Sequence, residues 1–295
     1  MEFVLRSGPN DYKYKNAYLR KNASEIENLF LGSSHCYYGI NPELIQGNSF
    51  NASHISQSID YDFYIFEKYQ EHWNNLKYIV IPIDYFTLFN RISNGEEKWR
   101  IKNYEIYYNI NKSYKISDHS ELLSFKFATN AKRIYDQLRS ETSSSITCSS
   151  LGYGNTLRKQ KDLESSGIIA AKRHTITDDT FLQHNMSIVK RFVEYVENHD
   201  VQLIFYTSPA YKSYSMNLNQ QQLLTTIETI EDLTRRCSNC LYYNFLDDDD
   251  FNAADFRDGD HLNQKGAEKF SIKINAILKK LEHASSESEN GRTVR

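Results

Sequence analysis

The residues best suited to chemistry lie near the two ends of the chain. Near the start, Phe30-Leu31-Gly32-Ser33-Ser34-His35 follows a short apolar run. A small residue and two serines at a strand-to-helix turn put a hydroxyl at a sheet edge. The backbone N–H groups that follow point into the same space. Such a hydroxyl suits a nucleophile, and such N–H groups suit a developing oxyanion. Near the end, Asp258-Gly259-Asp260-His261 precedes an apolar helical pattern. A carboxylate three residues before a histidine folds back onto its ring, fixes the tautomer and stabilises the charged form. Gly259 permits the tight turn. The expected roles are Ser34 as nucleophile, His261 as base and Asp258 as the orienting carboxylate. Each segment alone has a plainer reading: a serine-rich strand end, and an acidic helix N-terminus.

Other candidates carry less. Asp247-Asp248-Asp249-Asp250 reads as a solvated acidic loop, because consecutive carboxylates rarely converge on one cation, so no metal is expected. Cys237-Ser-Asn-Cys240 lacks the second ligand pair that zinc requires; a redox pair, incidental thiols and a local disulfide stay open. No G-x-G-x-x-G or phosphate loop occurs, so no nucleotide or flavin cofactor is expected. His35 and His54 read either as donors to the site or as structural histidines. The 22 Tyr suit a sugar-binding surface as well as half-buried packing.

Buried strands and helices alternate between these segments. Residues 26–31, 78–83, 201–206 and 241–245 read as strands, the second and third as continuous apolar runs buried on both faces. Residues 58–72, 122–138, 178–198 and 220–237 read as helices, and 141–166 as a Ser/Thr/Gly-rich loop. Phe270, Ile274, Ile277, Leu278 and Leu281 mark a last helix with Asn263 as its cap. This predicts an α/β fold with a mostly parallel sheet, whose sites form at the carboxyl ends of strands. One domain is expected over residues 1–282, with a helical and loop excursion around 95–175 and a disordered tail over 283–295.

Together, an early Gly32-Ser33-Ser34 and a late Asp258-x-x-His261 resemble the SGNH (GDSL-like) hydrolase superfamily. The resemblance implies a flavodoxin-like three-layer α/β/α sandwich and a Ser34–His261–Asp258 triad. Ser33 replaces the family's usual Asp. By position, the family's second block, a backbone oxyanion donor, falls on Asn51-Ala52-Ser53, with Ser53 in the glycine's place. The third block, which normally supplies an Asn side chain, falls on Asp84-Tyr85. An ionised Asp84 cannot donate, and Asn51 is an alternative. The wording of Leu31–Pro42, Ser49–Ala52 and Ile81-Pro82 is similar to SGNH-like proteins of bacterial surface-polysaccharide loci. That implies an esterase or O-acyltransferase, O-acetyl first among acyl groups, acting on a carbohydrate lined by Tyr37, Tyr38, Asp84 and Tyr85. The alternative is an inactive carbohydrate-binding or assembly protein on the same fold. No G-x-S-x-G elbow supports an α/β-hydrolase.

The 295 residues carry a net charge of −3, which gives no basic field for nucleic acid. No run approaches the length of a membrane span. The chain as it stands suggests a cytoplasmic protein, or one of the cell envelope had an anchor preceded it. No oligomeric state is implied.

Overall fold

The computed structural model describes residues 1–139, 145–156 and 159–292, with side chains as far as residue 284. Five parallel strands form the central sheet: β1 (Asn28–Phe30), β2 (Ser49–Asn51), β3 (Tyr78–Pro82), β4 (Gln202–Thr207) and β5 (Cys240–Asn244). Their spatial order is β2-β1-β3-β4-β5. This is the doubly wound order of a flavodoxin-like three-layer sandwich, with its switch point between β1 and β3.

Side-chain alternation along the strands builds the two outer layers. Leu29, Ile79, Ile81, Leu203 and Phe205 face one side, against Ile59, Phe63, Phe66, Phe192 and Val196. These come from the Ile59–Lys68 and Leu182–Glu197 helices. Phe30, Tyr78, Val80, Ile204 and Tyr206 face the other, against Cys36, Phe270, Ile274 and Leu278. These belong to the short Ser34–Gly39 helix and the last helix, Gln264–Arg292. Such strands are apolar throughout because both faces are covered.

The structure departs from expectation in several places. Ser49–Asn51 is an edge strand that a three-residue segment with one large apolar side chain does not announce. Helices occupy Glu2–Ser7, Asp11–Asn22 and Leu163–His174, the last overlapping the expected 141–166 loop. The rest of that loop is partly ordered by a bridge between Cys148 and Gly154; residues 140–144 and 157–158 lie outside the described residues. The last helix begins at Gln264, where Asn263 Oδ1 accepts the N–H of Gly266 at 3.0 Å. It continues past residue 282. The side chains of the expected tail from 285, and residues 293–295 entirely, lie outside the described residues. Cys237 and Cys240 form a disulfide between the end of the Gln220–Arg236 helix and the start of β5. No described helix is long and apolar enough to cross a membrane.

Candidate active site

Two tight turns position the site. Gly32 leaves β1 with φ of +126°, and its N–H donates to Asp62 Oδ1 at 2.6 Å. A β-carbon on Gly32 would lie 2.4 Å from Cγ of Pro82, so the backbone passes flush against the end of β3. Ser33 then caps the next helix, its Oγ accepting the N–H of His35 at 3.4 Å. Ser34 is the first residue of that helix, so its own N–H has no acceptor within the helix.

At the other end, β6 (Phe256–Asp258) and β7 (His261–Leu262) form a small antiparallel hairpin that pairs Asp258 with His261. Gly259 sits at its tip. A β-carbon there would lie 2.1 Å from Cα of Gly167, so the hairpin rests directly on the Leu163–His174 helix. Ser166 Oγ accepts the Gly259 N–H at 2.9 Å and holds it there.

These turns bring Ser34, His261 and Asp258 together. Ser34 Oγ lies 2.8 Å from His261 Nε2, across 227 residues of sequence. His261 Nδ1 lies 2.9 Å from Asp258 Oδ1. Asp258 Oδ2 accepts from the Arg257 guanidinium. Burial pulls the basicity of His261 down, but Asp260 and Asp258 outweigh it and the net shift is upward. Burial pushes Asp258 up, and the hydrogen bond and charge of His261 more than reverse this.

A second pair, unexpected from the sequence, stands behind the first. His35 Nδ1 lies 2.8 Å from Asp84 Oδ2, with both side chains about 95% buried. His35 Nε2 lies 3.5 Å from Asp260 Oδ2, and Asp260 Oδ1 lies 3.2 Å from His261 Nδ1. Burial opposes a charge on His35, but Asp84 and Asp260 prevail and raise it to about 10. Asp84 is held below the usual carboxylate range, burial being outweighed by His35 and the Ser208 N–H. One signal in the sequence points to this pair. A carboxylate directly after the buried apolar run 78–83 needs a cation, and His35 is the histidine beside Ser34. Among the described residues, His35, Asp260 and His261 have potential ligand atoms within 4.8 Å of one another. Those atoms are already engaged with Asp84, Asp258, Ser34 and each other, as an ion-pair network.

Other expected residues are placed differently. The Asn51 side-chain amide donates to Cys36 O at 3.0 Å and Ile40 O at 2.9 Å, so both its hydrogens are spent within the fold. Its Oδ1 accepts the Ser53 N–H at 3.1 Å. Asn51 is therefore a tie for this loop and not an oxyanion donor. The Ser53 N–H turns to an oxyanion only by leaving Asn51. Lys15, fully buried, donates from Nζ to Ser53 O at 2.6 Å and sits over the Tyr37 ring at 4.7 Å. Burial lowers Lys15 to about 8.

Tyr37 and Tyr85 do not line a cleft. Tyr37 is buried and donates to Asp11 Oδ2 at 2.7 Å. Tyr85 is buried, its hydroxyl 2.8 Å from Thr175 Oγ1 and accepting the Asn219 N–H at 3.0 Å. Asp84 faces His35 and not an open cleft. His54 stacks on Tyr12 with ring centroids 3.9 Å apart and lies 3.0 Å from the Tyr108 hydroxyl, a structural role. Tyr38 borders a cavity. That cavity, of about 550 Å3, is lined by Tyr38, Tyr153, Asn155, Arg257, Asn263 and Gln264. The Tyr38 ring lies 6.2 Å from that of His261. Neither this cavity nor a larger one of about 770 Å3, bordered by Tyr12, Trp99 and Phe125, is lined by Ser34, Asp258 or His261.

No protein-family model matches the chain, and no curated protein matches it. Among solved structures, the chain is similar to a Bacteroides fragilis protein described as a "putative acylhydrolase". The identity is 12%, over 90% of this chain and 95% of that one, with a TM-score of 0.41. Likeness at that level carries no inference, and the reading of the site rests on its geometry.

Proposed function

We propose that the protein is a serine-dependent esterase or O-acyltransferase acting on an acylated carbohydrate. One observation carries this reading: Ser34 Oγ, His261 and Asp258 stand in line at 2.8 Å and 2.9 Å. His261 Nε2 takes the Ser34 proton as Oγ attacks the ester carbonyl. The tetrahedral adduct collapses, and the leaving alkoxide receives that proton from His261. An acyl group is then esterified to Ser34. Water or a sugar hydroxyl, deprotonated by His261, attacks the acyl carbonyl; the product is a free acid or a new ester, and Ser34 regains its hydroxyl. The Ser34 N–H at the helix start supplies one oxyanion donor, and the Ser53 N–H supplies a second once released from Asn51.

The cavity whose wall includes Tyr38 and Leu262, the chain neighbour of His261, supports a carbohydrate. Tyr38 and Tyr153 contribute aromatic surface to its wall, and Asn155 and Gln264 contribute amide donors and acceptors. An O-acetyl group on a bacterial surface polysaccharide is the first candidate. A second reading, an inactive carbohydrate-binding protein, is favoured by the engagement of Asn51 and Asp84, which leaves the side-chain oxyanion donor unfilled.

Incubation with p-nitrophenyl acetate and a fluorophosphonate probe separates the two. The enzyme reading expects turnover and a covalent adduct on Ser34, both lost in Ser34→Ala. Turnover accelerated by an oligosaccharide acceptor indicates transfer over hydrolysis. Neither turnover nor labelling, in protein that still binds oligosaccharide, selects the binding-protein reading.

A further inference from the structure

We propose that Asp84, His35 and Asp260 form a second carboxylate–imidazole relay that positions His261 and sets its basicity. This rests on the esterase reading, in which His261 is the base. Asp84 is anchored first: its N–H donates to Thr87 Oγ1 at 3.0 Å and its Oδ1 accepts the Ser208 N–H at 2.9 Å. Its Oδ2 holds His35 Nδ1 at 2.8 Å. His35 Nε2 faces Asp260 Oδ2 at 3.5 Å, and the other oxygen of Asp260 reaches His261 Nδ1 at 3.2 Å. Asp258 approaches the same nitrogen at 2.9 Å. Asp258 is thus hydrogen-bonded to His261 Nδ1, and Asp260 stands at ion-pair distance from the same nitrogen.

Two carboxylates on one imidazole carry a cost. Each favours the charged ring, and a base held protonated accepts nothing from a serine. His35 offsets this. As an imidazolium it neutralises Asp260 and stands close to His261, with ring centroids 4.9 Å apart. Its charge opposes a second charge on His261, while Asp260 keeps that ring in place. The relay spans the switch point of the sheet, so it also fastens the turn after β1 to the turn after β3.

The Leu163–His174 helix presents Arg173, 3.5 Å from Asp260 Oδ2 but largely exposed at 59%. It also presents His174, whose Nδ1 lies 2.9 Å from the Tyr214 hydroxyl and which burial lowers to about 3, so it stays neutral. The hairpin presents Arg257, which pairs with Asp258. The segment after β3 presents Asp84, and the helix that starts at Ser34 presents His35 itself. Of these, His35 is the buried cation in reach of both Asp260 and His261.

The test is a titration of the histidine rings by nitrogen-15 NMR, which reads protonation without turnover. Wild type, His35→Gln and Asp260→Asn are compared, each checked for native amide dispersion. In wild type, His35 is expected to carry both ring protons at pH 8. His35→Gln is expected to raise the His261 midpoint by about one pH unit or more, and Asp260→Asn to lower it. The acid limb of kcat/KM for p-nitrophenyl acetate should move with the ring, in opposite directions in the two variants. A merely structural role moves stability without moving these midpoints in opposite senses. A neutral His35 at pH 8, or a His261 midpoint unmoved in both folded variants, overturns the relay. Opposed NMR shifts in a protein without esterase activity uphold the relay and refute the esterase reading. If neither variant folds, the wild-type His35 spectrum alone decides.

Discussion

Gly32 and Pro82 touch where the first and third strands end: a β-carbon on the glycine would stand 2.4 Å from the proline ring. The positive φ of Gly32 adds a second obstacle to any side chain. Gly32→Ala is therefore expected to cost about 2–4 kcal/mol of stability. Thermal or urea unfolding measures it, and a change below about 0.5 kcal/mol would show that the turn relaxes freely.

Asp258→Asn tests the orienting carboxylate. The amide is nearly isosteric but loses the charge, and it can present a hydrogen to Nδ1 and so favour the wrong tautomer. kcat for ester hydrolysis should fall by about 10^3 to 10^4, with KM within a few-fold of wild type. A fall of less than tenfold would place the orienting role on Asp260.

The pH dependence of activity follows from His261. Its basicity is raised, so kcat/KM should rise with pH through a midpoint above the ordinary histidine value of about 6.5. A midpoint at or below about 6 contradicts the electrostatics of the site.

Stability should peak near neutrality. His35 is raised in the fold to about 10, so its contribution is complete below about 6.5 and is lost as pH rises through about 10. His54 and His174 run the other way. Burial keeps both neutral, His174 down to about 3, so the fold loses stability as pH falls below about 6.5. Melting temperatures from pH 4 to 10 should trace this dome. His35→Gln should remove the loss through about pH 10 from its alkaline side.

Lys15→Met removes the buried cation beneath Ser53. The aliphatic chain is kept, so packing against Tyr37 largely survives. The expected result is a soluble protein with kcat reduced about tenfold or more, because the Ser53 carbonyl loses its anchor and the loop that carries the Ser53 N–H loses its fixed place. Wild-type kcat in the folded variant would mean that the loop holds its place without the lysine.

Much of the sheet and the line from Ser34 to Asp258 was legible because it is locally encoded. Continuous apolar runs mark β3 and β4, Gly32 marks the turn, and three-residue spacing joins Asp258 to His261. What escaped depends on distant partners. The Asp11–Asn22 helix hides its pattern by burying Lys15, a residue that periodicity counts as polar. Ser49–Asn51 is a strand because β1 offers it an edge. Tyr37 and Tyr85 stand beside site residues in sequence, yet their hydroxyls find Asp11 and Thr175, and no local rule foretells such a choice. Asp84 was in view as an ill-fitting oxyanion donor; its meaning came from His35, 49 residues earlier.

The separation of 227 positions between Ser34 and His261 also orders events in time. During synthesis the serine leaves the ribosome early and its base near the end. The turn at Gly32 needs the end of β3 against it, and the hairpin that carries His261 needs the Leu163–His174 helix beneath it. Contacts of such long sequence separation close late in folding. On the proposed esterase reading, Ser34 therefore spends most of the chain's birth as an ordinary alcohol, inert toward esters. A fluorophosphonate added to translating chains would date the docking of the last hairpin, so that reactivity itself becomes a clock for completed folding.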